Sequence, residues 1–295
     1  MDTLETIARR IDTTQDLQSL VRSMKTLSAI GVRQLEQAEA ALRQFRRTIE
    51  MGLQIVLKDH PPRHAIRGTD SGAQALVVFG SDRGLCGGFN ETVAELARRH
   101  LVREGLARKQ FHVVAVGILA ATRLEAIGLA PDAVVQSAGS VHGLAECCER
   151  ILIRLDELQL ARSMQGVATI FNRRDAEGEI APSAHVLLPI ALDRLRSLER
   201  SPWPSRRLPA FAVAPEALFS WLVRQHLLAD LYYAALSSMA AENSARLSAM
   251  QRAERSMNEK LDEMRAEFRR LRQDAITTEL MDIVGGYEVL RSGSA

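Results

Sequence analysis

The chain has 295 residues, a formal net charge of +2, 25% charged residues and 4% aromatic residues. Its length allows one large domain or two smaller ones, and so mild a charge gives no argument for nucleic-acid binding. The three cysteines form no disulfide framework, no apolar run reaches membrane-spanning length and no metal-ligand spacing occurs. We therefore expect a soluble chain without a metal or other cofactor.

The first predicted element is a single helix over residues 1–58, a stretch without proline. Apolar or small residues recur there in steps of three and four, which predicts a heptad seam. The predicted seam residues are Leu17, Val21, Met24, Ser28, Gly31, Leu35, Ala38, Leu42, Phe45, Ile49, Gly52 and Val56. An earlier set, Leu4 to Thr14, joins this seam after a step that is one residue short, which predicts a stammer.

Residues 73–200 are predicted to form a central, Rossmann-like α/β domain. Short β-branched runs alternate there with helical patterns, as in a mainly parallel sheet. The predicted strands span 75–80, 111–117, 132–138, 166–172 and 185–190, and the predicted helices span 91–103, 118–127 and 143–160. A proline-rich segment, 200–211, connects this domain to the last helix.

The last predicted element is a helix over residues 215–290. Pro215 suits a first helical turn, and Gly285-Gly286 predicts the stop. Its seam, interrupted at Asn243 and Glu254, consists of Leu236, Ala240, Leu247, Met250, Met257, Leu261, Met264, Phe268 and Leu271. Helices of roughly 85 Å and 105 Å cannot fit inside a compact domain. We therefore predict that the two terminal helices pair as a long antiparallel coiled coil into which the α/β domain is inserted.

The stretch FGSDRGLCGGFN, residues 79–90, contains the residue types of a catalytic loop. Their spacing does not match that of a dinucleotide-binding loop, a P-loop or a nucleophile elbow. Its glycines do not match GxGxxG, no lysine follows them as in a P-loop, and Ser81 stands one residue early for a nucleophile elbow. We therefore predict no catalytic residue here but a structural strand-to-helix turn, in which Asn90 or a neighbour caps the next helix. The predicted turn residues are Ser81, Asp82, Arg83, Gly84, Gly87 and Gly88.

Three motifs stand in order along the chain. IARRIDTTQDLQSLVRSMKTLSA leads into Met24-Lys25, SDRGLCGGFN follows the first predicted strand, and RQDAITTELMDIVGGYEVL spans 272–290. Together they resemble the gamma subunit family of F-type ATP synthases over the whole chain. Gly31 stands where that family usually has a lysine and Tyr287 where it usually has alanine. These departures suggest a divergent branch, such as the alternate F-type ATPase of some bacteria.

The resemblance implies a non-catalytic subunit that is the central rotor shaft and couples ion flow through a membrane ring to ATP synthesis or hydrolysis. Its expected partners are the alpha and beta subunits of the catalytic ring, the epsilon subunit and the membrane c-ring, with no nucleic acid and no direct membrane insertion. It would lie peripherally at the cytoplasmic face of the bacterial inner membrane. The last turns, ELMDIVGGYEVL, are more apolar than the shaft and would act as a bearing in an apolar collar, and a frayed C-terminal tail is the other interpretation.

Charged positions off the seam are candidate contacts with beta: Arg9, Arg10, Arg22, Lys25, Arg269, Arg270 and Arg272. The resemblance points specifically to Arg272, Gln273, Thr277 and Glu279 as the region held by beta-subunit loops. A solvated helix face is the other interpretation of any single arginine among them, since exposed ion pairs contribute only about 0–1 kcal/mol.

Two other functions remain open from the residues alone. One is a nucleotide-binding α/β enzyme that dimerises through its coiled coil, which direct nucleotide binding by the isolated chain would favour. The other is a coiled-coil adaptor that dimerises in parallel. Only the rotor shaft predicts a monomer whose two ends lie side by side.

Overall fold

The computed structural model describes residues 3–59, 73–105, 110–162, 164–175, 177–205, 207 and 209–292. These residues form two compact units. The first unit joins the chain up to Leu27 with the chain from Leu247 onward, and the second runs from Ser28 to Arg246. Both terminal helices contribute to both units, whereas the sheet belongs to the second unit alone.

Helix α1 runs from Leu4 to Asp59 and buries one residue in every seven. The buried residues at this spacing are Ile7, Val21, Ser28, Leu35, Leu42, Ile49 and Val56, and Thr14 is half-buried. Because the spacing runs without interruption from Ile7, the predicted stammer is wrong. Two predicted seam residues are also wrong, since Leu17 is 48% exposed and Phe45 is 43% exposed. Gln18 is buried beside Leu17, because its side chain donates a hydrogen bond to Asn258 on the last helix.

Helix α6 runs from Pro215 to Ser292 and begins at the residue that the sequence predicted. All nine predicted seam residues of this helix are buried or half-buried. The predicted stop at Gly285-Gly286 is wrong, because the helix continues through both glycines. Glycine weakens a helix by about 1 kcal/mol but ends it only where the backbone leaves the helical region. Neither glycine does so here.

The second unit contains a five-stranded mixed sheet in the order β3-β2-β1-β4-β5. The strands are β1 (Ala73–Phe79), β2 (Phe111–Val116), β3 (Ala133–Val135), β4 (Met164–Arg174) and β5 (Ile180–Leu188). The first four are parallel to one another, and β5 pairs with β4 in the antiparallel direction. The prediction of a mainly parallel sheet is therefore confirmed.

Helices cover both faces of this sheet. Helices α2 (Phe89–Arg103) and α3 (Ile118–Ala126) pack on one face, against apolar residues such as Val78 and Val113. Helix α4 (Leu144–Arg162) packs on the other face together with Leu35 and Leu42 of α1 and Leu231 and Leu236 of α6. The middle of each terminal helix is thus part of the core of the α/β unit.

One helix was not predicted. Helix α5 (Leu192–Arg200) lies between β5 and the proline-rich segment, and its Leu195 packs against Leu53 of α1 and Leu222 of α6. Its nine residues are too few for a clear periodic signal, and their burial comes from the two terminal helices. No helix in the described ranges is both long and apolar enough to cross a membrane.

Candidate functional site

The glycine-rich turn between β1 and α2 is organised around the buried residues Ser81 and Asn90. The Ser81 backbone N–H donates to Asn90 Oδ1 at 3.0 Å, and Asn90 Nδ2 donates to Ser81 Oγ at 2.9 Å. The Ser81 hydroxyl in turn donates to the Arg83 carbonyl at 2.9 Å. The helix begins after Gly88, which makes no side-chain cap. The expectation that Asn90 caps α2 is wrong, because its amide fixes the turn instead.

Asp82 connects the ends of three neighbouring strands. Its Oδ1 accepts from the Ile118 N–H at 2.8 Å, at the start of α3. Its Oδ2 accepts from the Ser137 N–H at 2.8 Å and from the Ser137 hydroxyl at 2.9 Å. Asp82 follows β1, Ile118 follows β2 and Ser137 follows β3. A carboxylate at a helix N-terminus also has a favourable interaction with the helix dipole.

Replacing Asp82 with alanine should therefore destabilise the second unit. The two backbone N–H groups lose a charged acceptor, and we expect the free energy of unfolding to fall by about 2–3 kcal/mol. Urea unfolding followed by circular dichroism measures this change. Asp193→Ala is the matched control because the Asp193 side chain is 97% exposed. Equal unfolding midpoints for the two variants would contradict the role given to Asp82.

The glycines of the turn differ in whether their positions require a residue without a side chain. A Cβ at Gly80 would lie 2.4 Å from the Ala120 Cβ, so only glycine fits there. Gly87 has a φ of +62°, which favours glycine without any steric contact. A Cβ at Gly84 or at Gly88 would meet no atom within 4 Å. All three glycines predicted to shape the turn therefore lie in open space, and only Gly87 has a backbone conformation that favours glycine.

Helix α6 holds the outer side of the turn. Arg246 donates to the Arg83 carbonyl at 3.3 Å and to the Gly84 carbonyl at 3.4 Å, and its guanidinium also binds Glu242 at 2.6 Å. Burial raises the pKa of the Glu242 carboxyl, against the opposing effect of Arg246. Burial likewise raises the pKa of the Cys86 thiol, which disfavours the nucleophilic thiolate form.

In the first unit, α1 and α6 are joined by polar contacts. Gln18 donates to Asn258, and Glu254 accepts from Arg22 at 3.1 Å and from Lys25 at 2.5 Å. A four-residue step along α1, from position 18 to 22, is matched by a four-residue step back along α6, from 258 to 254. The two helices are therefore antiparallel in this unit. Few of the described side chains of this unit are buried, namely Ile7, Gln18, Val21, Met250, Leu261 and Met264.

The whole chain is similar to one known family. A family model described as ATP synthase matches residues 3–290. The chain belongs to the ATP synthase gamma family. The ATP synthase gamma chain of Jannaschia sp. strain CCS1 is 27% identical over 305 residues, covering 98% of this chain and 100% of that protein. That of Geotalea uraniireducens strain Rf4 is 25% identical over 297 residues, covering 99% of this chain and 100% of its own length.

Solved structures share the fold of this gamma-family chain. The rotor of the Euglena gracilis mitochondrial ATP synthase matches with a TM-score of 0.64 at 13% identity, over 92% of this chain and 98% of that chain. The central stalk and c-ring structure of the Tetrahymena thermophila mitochondrial ATP synthase matches with a TM-score of 0.54 at 19% identity, over 79% of this chain and 99% of that chain. As a gamma-family member, the chain is a non-catalytic subunit and the central shaft of a rotary ATP synthase.

The predicted beta contacts of this gamma-family chain fall into two groups. On α1, Arg9 pairs with Glu5 at 3.0 Å, Arg10 is exposed, and Lys25 pairs with Glu254 of α6. On α6, the predicted contacts are all exposed, namely Arg269, Arg270, Arg272, Gln273, Thr277 and Glu279. The Thr277 hydroxyl donates to the Gln273 carbonyl at 2.9 Å, one helical turn away. In the sequence Glu254 is only an interruption of the seam, whereas in the structure its carboxylate binds both Arg22 and Lys25.

A buried ionic cluster in the second unit was missed altogether. Asp230 of α6 is 8% exposed, and its carboxylate lies 2.8 Å from Arg46 of α1, 3.9 Å from Arg194 of α5 and 3.5 Å from His226 Nε2. The Arg46 guanidinium also lies 4.9 Å above the Tyr233 ring. A sequence signal existed, because His226 and Asp230 stand four residues apart on one face of a mostly apolar part of α6.

Two buried histidines, His100 and His226, and the half-buried His185 should make stability depend on pH. Burial is the largest cause of the lowered pKa of His100, His185 and His226. Each is therefore neutral in the folded chain and takes up a proton on unfolding once the pH falls below about 6.5. Their contribution to stability is complete above that pH and is lost as the pH falls toward the folded pKa, with a slope of up to about 1.4 kcal/mol per pH unit for each group.

The variant His226→Gln isolates one of these groups. Wild type and variant should be compared by urea unfolding at about pH 7.5 and about pH 5.5, which lie above and below the ordinary histidine pKa of about 6.5. We expect the variant to lose less stability on acidification, because glutamine does not titrate. Identical losses in the two proteins would show that His226 does not contribute.

Proposed function

We propose that α1 and α6 act as an antiparallel coiled coil that transmits torque between the alpha and beta subunits of a catalytic ring and an ion-driven ring in the membrane. The observation on which this proposal rests is that the contacts between α1 and α6 run in the antiparallel sense in each unit. In the first unit Gln18 meets Asn258 and Arg22 meets Glu254, and in the second unit Gly31 lies beside Asn243 and Arg46 meets Asp230. Helices that supercoil around each other resist bending better than one helix alone.

Glycines on α1 support close packing of the two helices in the second unit. A Cβ at Gly31 would lie 3.0 Å from Asn243 Oδ1, and a Cβ at Gly52 would lie 2.8 Å from Leu222 Cδ2. The small residue at each position lets a side chain of α6 approach the α1 backbone. Gly31, the departure from the family pattern, thus has a packing partner of its own in the polar Asn243.

The far part of α6 is the proposed contact region for the catalytic ring. Every residue from Arg272 to Gly285 is exposed, and α1 begins only at Leu4. By the register of Gln18 with Asn258, Leu4 lies opposite Arg272, so the described part of α1 does not extend beside α6 beyond this point. We assign the contact with beta-subunit loops to Arg272, Gln273, Thr277 and Glu279.

Exposed apolar side chains on the same segment suit a bearing inside a collar of the catalytic ring. They are Ile276, Leu280, Met281, Ile283 and Val284, each about half exposed or more. Side chains of this kind seldom cluster on a free surface, and such clusters mark interaction sites. Tyr287, the other departure from the family pattern, lies where no side chain is described.

We further propose three domains with separate roles: helix 1–58, the α/β domain 73–200 and helix 215–290. The epsilon subunit and the membrane c-ring would bind at the α/β domain. This arrangement would keep the chain peripheral, at the cytoplasmic face of a bacterial inner membrane. The boundaries follow the loss of helical pattern near residues 59 and 215, where α1 ends and α6 begins.

The packing of α6 argues against the nucleotide-binding alternative. In sheets of this class, ligands bind outside the carboxyl ends of the strands. Here Ala235, Ser238 and Glu242 of α6 lie over the ends of β1 and β2 and leave a cavity of about 20 Å³. Ligand cavities usually measure about 300–1,000 Å³. The adaptor alternative is disfavoured as well, because the seams of α1 and α6 already bury each other.

Co-expression with its genomic neighbours tests the rotary function. We expect an ATPase ring that couples hydrolysis to ion pumping only when this chain is present. The isolated chain should bind no nucleotide at micromolar concentrations, and small-angle scattering should give a monomer. Tight nucleotide binding by the isolated chain, or a parallel dimer, would overturn the proposal.

A further inference from the structure

A small cavity separates α6 from the carboxyl edge of the sheet. It measures about 20 Å³ and is lined by Gly80, Ser137, Ser238 and Glu242, among mostly apolar neighbours. A water molecule needs about 10–15 Å³ of such space. The cavity is therefore large enough for one water and too small for a larger ligand.

Ser238 is the unusual residue of this cavity. It is 3% exposed, and its hydroxyl has no hydrogen-bond partner within the described part of the chain. Hydroxyl groups on α1 and α6 commonly donate to the carbonyl four residues earlier, as Thr13, Thr26 and Ser220 do. Ser238 does not, although the Ala234 carbonyl stands at that position. A buried hydroxyl left unpaired costs about 1–3 kcal/mol.

Two further polar groups line the same cavity and can complete a water site. The Ser137 hydroxyl donates to Asp82, which leaves its oxygen free to accept. Arg246 binds Oε1 of the Glu242 carboxyl, so Oε2 can accept a hydrogen bond from a water molecule. Burial raises the pKa of Glu242, with Asp82, Arg83 and Arg246 as the charged groups nearby, so a hydrogen bond from solvent would reduce the cost of its charge.

We propose that this cavity binds one ordered water molecule, which accepts a hydrogen bond from Ser238 and donates to Ser137 and Glu242. Buried waters typically make about three hydrogen bonds to groups that would otherwise be unpaired. The water would join α6 to the ends of the strands, at the place where related sheets hold a ligand. This inference does not depend on the rotary function, because it concerns the isolated chain.

The sign of one stability change tests the proposal. If Ser238 binds water, Ser238→Ala removes a satisfied hydrogen bond and should lower the melting temperature by about 2–4 °C. If the hydroxyl is unpaired in a dry cavity, the same variant should raise the melting temperature. If the hydroxyl turns back to Ala234, the change should be near zero. Either of the last two results would overturn the proposal.

A count of long-lived waters provides the second readout. Oxygen-17 relaxation dispersion on the full-length chain should give one long-lived water fewer for Ser238→Val, whose extra methyl group fills the cavity, than for wild type. The matched control is Ser237→Ala, since Ser237 is the next residue on α6 and does not line this cavity. An equal count in wild type and Ser238→Val, or a metal cation in the cavity of a high-resolution structure, would contradict a water site.

Discussion

Replacing Gly117 with alanine is expected to destabilise the chain by about 3 kcal/mol or more. Gly117 has a φ of +98°, which an L side chain rarely adopts. Its Cβ would also lie 2.7 Å from the Ser81 carbonyl carbon and 2.8 Å from the Ser81 nitrogen and oxygen. Ser81 cannot move aside, because its N–H is bound to Asn90 and its carbonyl accepts from the Leu119 N–H.

Soluble yield and the thermal unfolding midpoint measure the effect of Gly117→Ala. Gly84→Ala is the control, since the added methyl group would meet no atom within 4 Å. We expect the control to unfold within a few degrees of wild type. If both variants unfold at the wild-type temperature, the contact between Gly117 and Ser81 is not as close as described.

Ending the chain after Leu271 is expected to weaken the coupling of ATP hydrolysis to ion pumping but to leave assembly of the complex intact. The removed residues, from Arg272 to Gly285 and beyond, are exposed wherever their side chains are described, so the helix pair of the first unit should remain folded. What is lost is the proposed contact region for beta. Allosteric coupling is typically worth about 1–3 kcal/mol, so ion pumping per ATP hydrolysed should fall by roughly fivefold or more.

The truncation should be measured in the assembled complex, with ring assembly followed by gel filtration and pumping followed by a fluorescent ion-gradient dye. A variant with alanine at Arg272, Gln273, Thr277 and Glu279 separates these side chains from the length of the helix. Alanine at Arg255 and Glu259, exposed residues on the paired part of α6, provides the control. Unchanged pumping in the truncated complex would refute the contact assignment.

Much of the candidate site could not be predicted from the sequence. The glycine-rich stretch was correctly placed after a strand and before a helix, because glycines and a β-branched run are local signals. The role of Asp82 depends on Ile118 and Ser137, which follow two other strands. The role of Arg246 depends on α6 reaching the turn from more than 160 residues away. The residues around the turn contain no sequence signal for the partners of Asp82 or for Arg246.

Local sequence signals are sufficient to predict the elements whose pattern repeats along the chain. The two long helices follow from the absence of proline and from apolar residues that recur in steps of three and four, and the strands follow from β-branched runs bounded by turn residues. Pro215 marks the start of α6 because its fixed φ and missing N–H suit a first turn. Such signals are local, so they remain readable without knowledge of the fold.

The tertiary structure alone decided which side chains face a partner. Leu17 and Gln18 are equally compatible with helix α1, and Gln18 is buried only because Asn258 lies opposite it. The sheet order and the position of α6 over the strand ends likewise depend on contacts between distant segments. The free energy of such a contact depends on both residues of the pair. Because the two residues are distant along the chain, the sequence around one of them contains no signal of the other.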